Sequence, residues 1–189
     1  MTFRKLIAGA VVAGLCLTAS GAAVAAAGKA PKRTTIKVSQ SFKLKPNRYI
    51  QDGLRWNRDV YKVRSGGTLH VVANKLGDGP HTFTVVRKKD LPTTAKQING
   101  CFGKGGICLK LAIAHGADPS SEAPPKFQFL ENGVGQNTPP DVDRPGDSGV
   151  TGEGKKGEFI DLKVTAAKGK KLYFMCLIHP WMEARVDVR

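Results

Sequence analysis

A short stretch near the carboxyl end carries three side chains that can bind a soft metal ion. Cys176, His179 and Met182 stand three residues apart in the segment 173–182 (YFMCLIHPWM). Side chains alternate between the two faces of a strand, so a strand cannot aim all three at one point. A tight loop stiffened by Pro180 can do so. Thiolate, imidazole and thioether ligands together favour copper, because zinc sites rarely include methionine.

A fourth ligand has to come from elsewhere in the chain, and His81 is the best candidate. It follows Gly79 and Pro80 and opens an alternating run predicted to be a strand, so its side chain is expected at one end of a sheet. Of the two other histidines, His70 lies within an alternating strand and is predicted to be structural. His115 is predicted to lie in a surface loop, with an extra ligand or a contact residue as the alternatives.

The cysteine count supports a special role for Cys176. Cys101 and Cys108 are close enough in sequence to form a disulfide around a glycine-rich loop (CFGKGGIC). Cys16 lies in a segment expected to be removed, which leaves Cys176 as the odd thiol. An unpaired thiol in an oxidising compartment is a liability unless it has a function, and metal ligation is such a function.

The first 27 residues are typical of a secretory signal. A basic start at Arg4-Lys5 precedes an apolar run, 6–17, that is too short for a good membrane span. Small residues suited to cleavage follow at Ala23, Ala25 and Ala27. We therefore expect residues 1–27 to be a signal peptide, with an uncleaved anchor as the alternative. The mature chain, 28–189, is predicted to be a single domain without a transmembrane segment, exported to the periplasm, the cell surface or the medium.

Charge is distributed unevenly along the chain. The formal net charge is +15, and residues 28–75 alone hold 12 basic and 2 acidic side chains. Nucleic acid is not expected as a partner of an exported protein, so this bias indicates either a solubilising surface or a docking face for an anionic partner. A protein partner with an acidic docking face would complement this charge, and we predict a monomeric state.

The pattern along the chain predicts an all-β antiparallel sandwich. Seven short runs with alternating or β-branched character are separated by turn residues; they are 34–38, 59–63, 68–74, 81–86, 159–165, 171–176 and 184–188. One short helix is predicted over 92–98. The region of about 90–157 differs in kind, since residues 100–157 contain twelve glycines and six prolines with little periodicity. It is predicted to be a long irregular insertion, stapled near its start by the disulfide.

Two parts of the chain resemble the cupredoxins, the family of blue copper proteins that includes plastocyanin and azurin. The first is 65–74 followed by 79–85 (SGGTLHVVAN and GPHTFTV), and the second is 173–182; they occur in the same order as in the family. The ligand loop is most similar to that of the amicyanins, and the likeness covers about 57–89 and 158–189. It implies a Greek-key sandwich and one type 1 copper ion, with His81, Cys176 and His179 as the trigonal set and Met182 as the axial ligand. Thr82 departs from the family, which commonly has asparagine there.

Three functions remain open. The resemblance implies a carrier of single electrons between redox partners. The alternative is a copper-binding or copper-carrier protein without electron transfer, although the chain has only three methionines and no exposed cluster of them is evident. A copper oxidase or nitrite reductase is the third. Oxidases need His-x-His pairs and histidines beside the copper cysteine, whereas Met175 and Leu177 flank Cys176. We therefore do not expect an enzyme.

Overall fold

A computed structural model describes residues 29–73, 79–118, 120–121, 128–151 and 157–189. The predicted secretory segment, 1–27, lies outside the described residues. Short strands dominate, and a single turn of 3-10 helix (Lys88–Asp90) and two α-helices accompany them. The elements in chain order are β1 (Arg33–Ser39), β2 (Phe42–Lys45), β3 (Tyr49–Asp52), β4 (Arg55–Trp56), β5 (Val60–Val63), β6 (Thr68–Val72), β7 (Thr82–Val86), α1 (Ala95–Gly100), α2 (Ile107–Ala114), β8 (Phe129–Glu131), β9 (Val134–Gln136), β10 (Asp141–Val142), β11 (Ser148–Val150), β12 (Phe159–Val164), β13 (Lys171–Met175) and β14 (Glu183–Val188).

Two sheets pack face to face, which confirms the predicted all-β sandwich. One sheet has the order β10-β12-β6-β1-β4 and the other β5-β14-β13-β7-β11-β8-β9. All seven predicted strands are present. Most neighbours pair antiparallel, but β1 with β6, β10 with β12 and β5 with β14 pair in parallel. The sandwich is therefore more mixed than the predicted antiparallel one, because crossover connections place strands of the same direction side by side.

Alternation of residue types fixes which face of each strand is buried. In β12 the apolar residues Ile160, Leu162 and Val164 point into the core, while Asp161 and Lys163 point outward. The opposite sheet contributes side chains such as Phe83 and Phe174, whose rings stack with centroids 4.2 Å apart. The period of two seen in the sequence thus produces the buried interface between the sheets.

Strand β7 is an exception, because all five of its residues are buried. One face lies on the main core, and the other is covered by elements from the 90–157 region. A second apolar cluster fills that outer layer and contains Val86, Leu111, Leu130, Met175 and Leu177, together with Cys101 and Cys108. The sandwich is therefore locally three layers thick where it carries β7.

The described part of the 90–157 region has more regular secondary structure than the predicted irregular insertion. It contains α1, α2 and four strands, of which β11 pairs with β7 and β8 and β9 extend the same sheet. The predicted helix is present as α1, whose start is capped reciprocally by Thr94 and Gln97. The predicted disulfide between Cys101 and Cys108 is also present. The four strands have two or three residues each, too few for a periodic signal.

A buried carboxylate organises the loops of this region. Asp147 is fully buried and accepts backbone N–H groups from Asn132, Asp143 and Arg144, each at 2.9 Å. These bonds satisfy the carboxylate and hold two loops against the start of β11. Among the described residues, no helix combines the length and the apolar character needed to cross a membrane.

Candidate metal centre

Three of the predicted ligands converge at one end of the sandwich. His81 immediately precedes β7, Cys176 immediately follows β13, and His179 lies in the loop between β13 and β14. The Cys176 Sγ atom lies 3.8 Å from His81 Nδ1 and 3.6 Å from His179 Nδ1. One ligand atom from each residue lies within 4.8 Å of the other two. The structure therefore brings the His81 imidazole to the Cys176 thiol and the His179 imidazole, although His81 and Cys176 are 95 residues apart in the sequence.

A tight loop between β13 and β14 produces this convergence. Cys176 N–H donates to the Met182 carbonyl at 3.0 Å, and Met182 N–H donates to the His179 carbonyl at 2.8 Å. The Trp56 indole N–H, reaching from the opposite sheet, also donates to the Met182 carbonyl at 2.9 Å. These three bonds fix the loop at both ends. The Met182 side chain is fully buried in the core cluster that includes Cys176, and its role as a ligand stays a prediction.

The sulfur of Cys176 lies in a dry site with hydrogen-bond donors around it. Burial raises the pKa of the thiol. Backbone N–H groups around the sulfur, that of Thr82 first, and the Thr82 hydroxyl act in the opposite direction and lower it. Thr82 N–H lies 3.4 Å from Sγ, and Thr82 Oγ1 accepts the Leu177 N–H at 2.7 Å. Thr82 thus ties the two ligand segments together, in the position where the resembled family commonly has asparagine.

The backbone of His81 is fixed by the 90–157 region. His81 N–H donates to Thr151 Oγ1 at 3.1 Å, and the His81 carbonyl accepts the Thr151 N–H at 2.9 Å. Thr151 directly follows β11, the strand that pairs with β7. Sequence reasoning gave this threonine no role, because it stands in a glycine-rich stretch without a recognisable motif.

The expected position of His115 is wrong. This residue follows α2 and is only 2% exposed, and it contacts Gln128, which directly precedes β8, and Ser148 of β11. Its Nδ1 lies 2.5 Å from the Gln128 carbonyl and its Nε2 lies 2.8 Å from Ser148 Oγ. Burial lowers the pKa of the ring, and the Gln128 carbonyl opposes that effect. His115 was expected in a surface loop of the insertion, but it directly follows the apolar helix α2, which packs against the sandwich.

A line of buried hydroxyls leads from His115 to the ligand loop. Ser148 Oγ lies 2.6 Å from Thr84 Oγ1, and the Thr84 hydroxyl donates to Thr82 Oγ1 at 3.1 Å. Thr82 in turn contacts both Leu177 and Cys176, as described above. The sequence offers no signal for this arrangement, because its members come from α2, β7 and β11.

Aromatic side chains surround the two imidazoles. The Trp181 ring meets His179 edge-on with centroids 5.4 Å apart, and its indole N–H donates to the Leu54 carbonyl at 3.0 Å. Trp56 lies 6.3 Å from His81 on the core side. Trp181 remains 45% exposed, so the half-buried His179 lies beside an aromatic surface at this end of the sandwich.

His70 lies outside this group of side chains. Its Nδ1 contacts Asp161 at 2.8 Å and Arg33 at 2.7 Å on the outer face of the five-stranded sheet. Its ring also packs on Phe159 at 4.6 Å between centroids. These contacts agree with the structural role predicted for it.

Comparisons with known proteins find likeness in structure and none in sequence. No protein-family model matches the chain, and no curated protein matches it. An auracyanin from Roseiflexus castenholzii aligns over 85% of this chain and 99% of its own at 12% identity and a TM-score of 0.37. Auracyanin A from Chloroflexus aurantiacus, described as a "blue" copper protein, aligns over 83% and 99% at 13% identity and a TM-score of 0.37. The multicopper oxidase mgLAC aligns over 82% of this chain but 38% of its own, at 13% identity and a TM-score of 0.33.

Proposed function

We propose that this chain is an exported type 1 copper protein that carries single electrons between redox partners. The observation that supports it is the meeting of the His81, Cys176 and His179 ligand atoms within 4.8 Å of one another. The donor set fits the metal, because one thiolate and two imidazoles with a nearby thioether favour copper over zinc. When bound, copper supplies the reversible exchange of one electron between its cupric and cuprous forms.

The protein's own contribution is a rigid frame around the ligands. Hydrogen bonds with the hydroxyl and the N–H of Thr151 fix the backbone of His81, and the bonds among Cys176, His179 and Met182 fix the loop. Thr82 joins these two frames through the sulfur and through Leu177. A frame held from both sides limits movement of the ligands, and small rearrangement favours rapid electron exchange.

The environment of the sulfur supports its use as a thiolate ligand. A buried thiol resists ionisation, but metal binding requires the thiolate and releases the proton. The Thr82 N–H is in place to donate to the charged sulfur. Met182 is proposed as the axial ligand, and the short spacing of Cys176, His179 and Met182 as the feature shared with the amicyanins.

The proposals of export and of a redox partner rest on further features of the chain. The predicted signal over 1–27 and the Cys101–Cys108 disulfide both favour an oxidising compartment. The basic residues of 28–75 support a redox protein partner with an acidic docking face, and we propose a monomer with one copper ion. A non-enzymatic role is proposed because Met175 and Leu177, rather than histidines, flank the metal cysteine.

Voltammetry on variants of residue 182 tests this function. If Met182 is axial, Met182→Leu keeps copper but raises the reduction potential, since loss of a donor disfavours the cupric ion more than the cuprous. Met182→Gln lowers the potential, because a harder oxygen donor favours the cupric ion. Met175→Leu is the matched control, since Met175 is equally buried but lies in the outer apolar cluster.

An electron carrier should show fast electron self-exchange and a reduction potential that is lowest for Met182→Gln, intermediate for the wild type and highest for Met182→Leu. A copper store is not expected to show this combination. A potential that does not respond to residue 182 means that Met182 is not a ligand. Copper binding without a reversible one-electron wave contradicts electron transfer itself.

A further inference from the structure

The β2–β3 hairpin stands apart from both sheets, and all eight of its residues are exposed. Leu44 and Ile50 are cross-strand partners on one face, and Phe42 lies on the same face two residues along. Their exposed fractions are 59%, 69% and 61%. Two-stranded hairpins are marginally stable in water unless another surface covers an apolar face. Three large apolar side chains exposed together on one face therefore indicate a binding surface.

Basic side chains accompany this apolar face. Lys43 and Lys45 alternate onto the opposite side of β2, and Arg48 lies at the turn, where its N–H donates to the Lys45 carbonyl at 3.0 Å. Asp52, the only acidic residue of the two strands, pairs with Phe42 at the base of the hairpin, where its carboxylate accepts the Leu54 N–H at 3.1 Å. The hairpin is thus amphipathic and cationic, with its charges placed beside its apolar residues.

The hairpin leaves the sandwich next to the candidate metal centre. Gly53 N–H closes its base by donating to the Ser41 carbonyl at 2.6 Å. The next residue, Leu54, accepts the indole N–H of Trp181, whose ring packs on His179. A surface bound by the hairpin therefore lies at the end of the molecule where Trp181 is exposed.

We propose that this hairpin docks on an anionic lipid bilayer. Phe42, Leu44 and Ile50 enter the boundary of the acyl region, while Lys43, Lys45 and Arg48 reach the headgroups with their long side chains. A protein partner needs roughly 800 Å² of complementary surface on each side, whereas a fluid bilayer accepts a small hairpin without shape complementarity. Docking itself does not depend on a bound metal. Docking directs the end of the sandwich that carries the candidate metal centre toward the membrane. That orientation serves electron transfer only if the proposed function holds.

Vesicle sedimentation with the mature chain, 28–189, tests the proposal. The protein is expected to co-sediment with vesicles of phosphatidylglycerol and phosphatidylcholine, and weakly with phosphatidylcholine alone. Leu44→Ser with Ile50→Ser, or Lys43→Glu with Lys45→Glu, should weaken binding by about tenfold or more. Val134→Ser is the matched control, because Val134 is 68% exposed on β9, outside the hairpin. Equal binding to both vesicles, or binding unchanged in the hairpin variants, overturns the proposal.

Discussion

The sandwich strands and the 90–157 region contribute to the candidate metal centre in different ways. The strands bring the candidate ligands, and they do so through alternating apolar residues that fill a core. The 90–157 region brings polar contacts, such as those of Thr151 with His81 and of Ser148 with Thr84. The difference shows that the strands place the candidate ligands, while this region supplies polar contacts around them.

The cysteines of the two parts also differ, since one is a free thiol at the candidate metal centre and two form a disulfide in the 90–157 region. Cys176 is a buried free thiol within reach of two histidines. Cys101 and Cys108 form a disulfide inside the outer apolar cluster. Metal binding and stability should therefore respond to different cysteines, and the predictions below test that separation.

Replacement of Cys176 should have the largest effect. Cys176→Ser removes the thiolate, so the intense colour of the cupric protein and its reversible one-electron wave should both be lost. The free energy of unfolding of the metal-free protein should change little by comparison, and denaturant titration measures it. Retention of the intense band in Cys176→Ser would rule out Cys176 as the ligand.

Removal of the disulfide should give the opposite result. Cys101→Ala with Cys108→Ala should lower the free energy of unfolding by about 2–3 kcal/mol, since a short closed loop no longer restricts the unfolded chain. The visible spectrum of the copper-loaded protein should stay unchanged. A lost or shifted band in this variant would mean that the disulfide loop also controls the ligands.

Packing between the 90–157 region and the sandwich is expected to be tight at Gly149. A Cβ atom there would overlap Ile160 Cδ1 and lie 3.1 Å from a Leu162 methyl carbon of the facing sheet. Gly149→Val should therefore cost about 1–3 kcal/mol of stability through overpacking. Gly100→Ala is the control, because nothing lies within 4 Å of a Cβ at that position. Equal thermal stability of both variants would show that the region is only loosely attached.

A smaller effect is expected from Glu183 at the start of β14. Burial raises the pKa of this carboxyl to about 7, and its Oε1 has no partner among the described residues. The folded state thus holds the proton more tightly than the unfolded state, so stability should fall as pH rises from about 4.5 to 7. Glu183→Gln should remove this fall and add about 1 kcal/mol above pH 7, after allowance for solvent screening. An unchanged pH slope in chemical denaturation would contradict it.

The sequence predicts the sandwich better than the surroundings of the site. All seven predicted strands exist because apolar alternation is a local signal, and the ligand motif predicted the meeting of His81, Cys176 and His179. Strands β8–β11 were missed, since two or three residues carry no period. The burial of His115 and the roles of Thr151 and Asp147 depend on contacts between distant segments, which no local pattern encodes.

Titration of the metal-free protein with cupric ion, followed by visible absorption, tests the central claim most directly. The account predicts one intense thiolate-to-copper band near the red end of the spectrum, reaching its maximum at one copper per chain. Cys176→Ser in parallel should show only weak absorption. Copper binding without that band, or a band that persists in Cys176→Ser, would contradict a type 1 site built on Cys176.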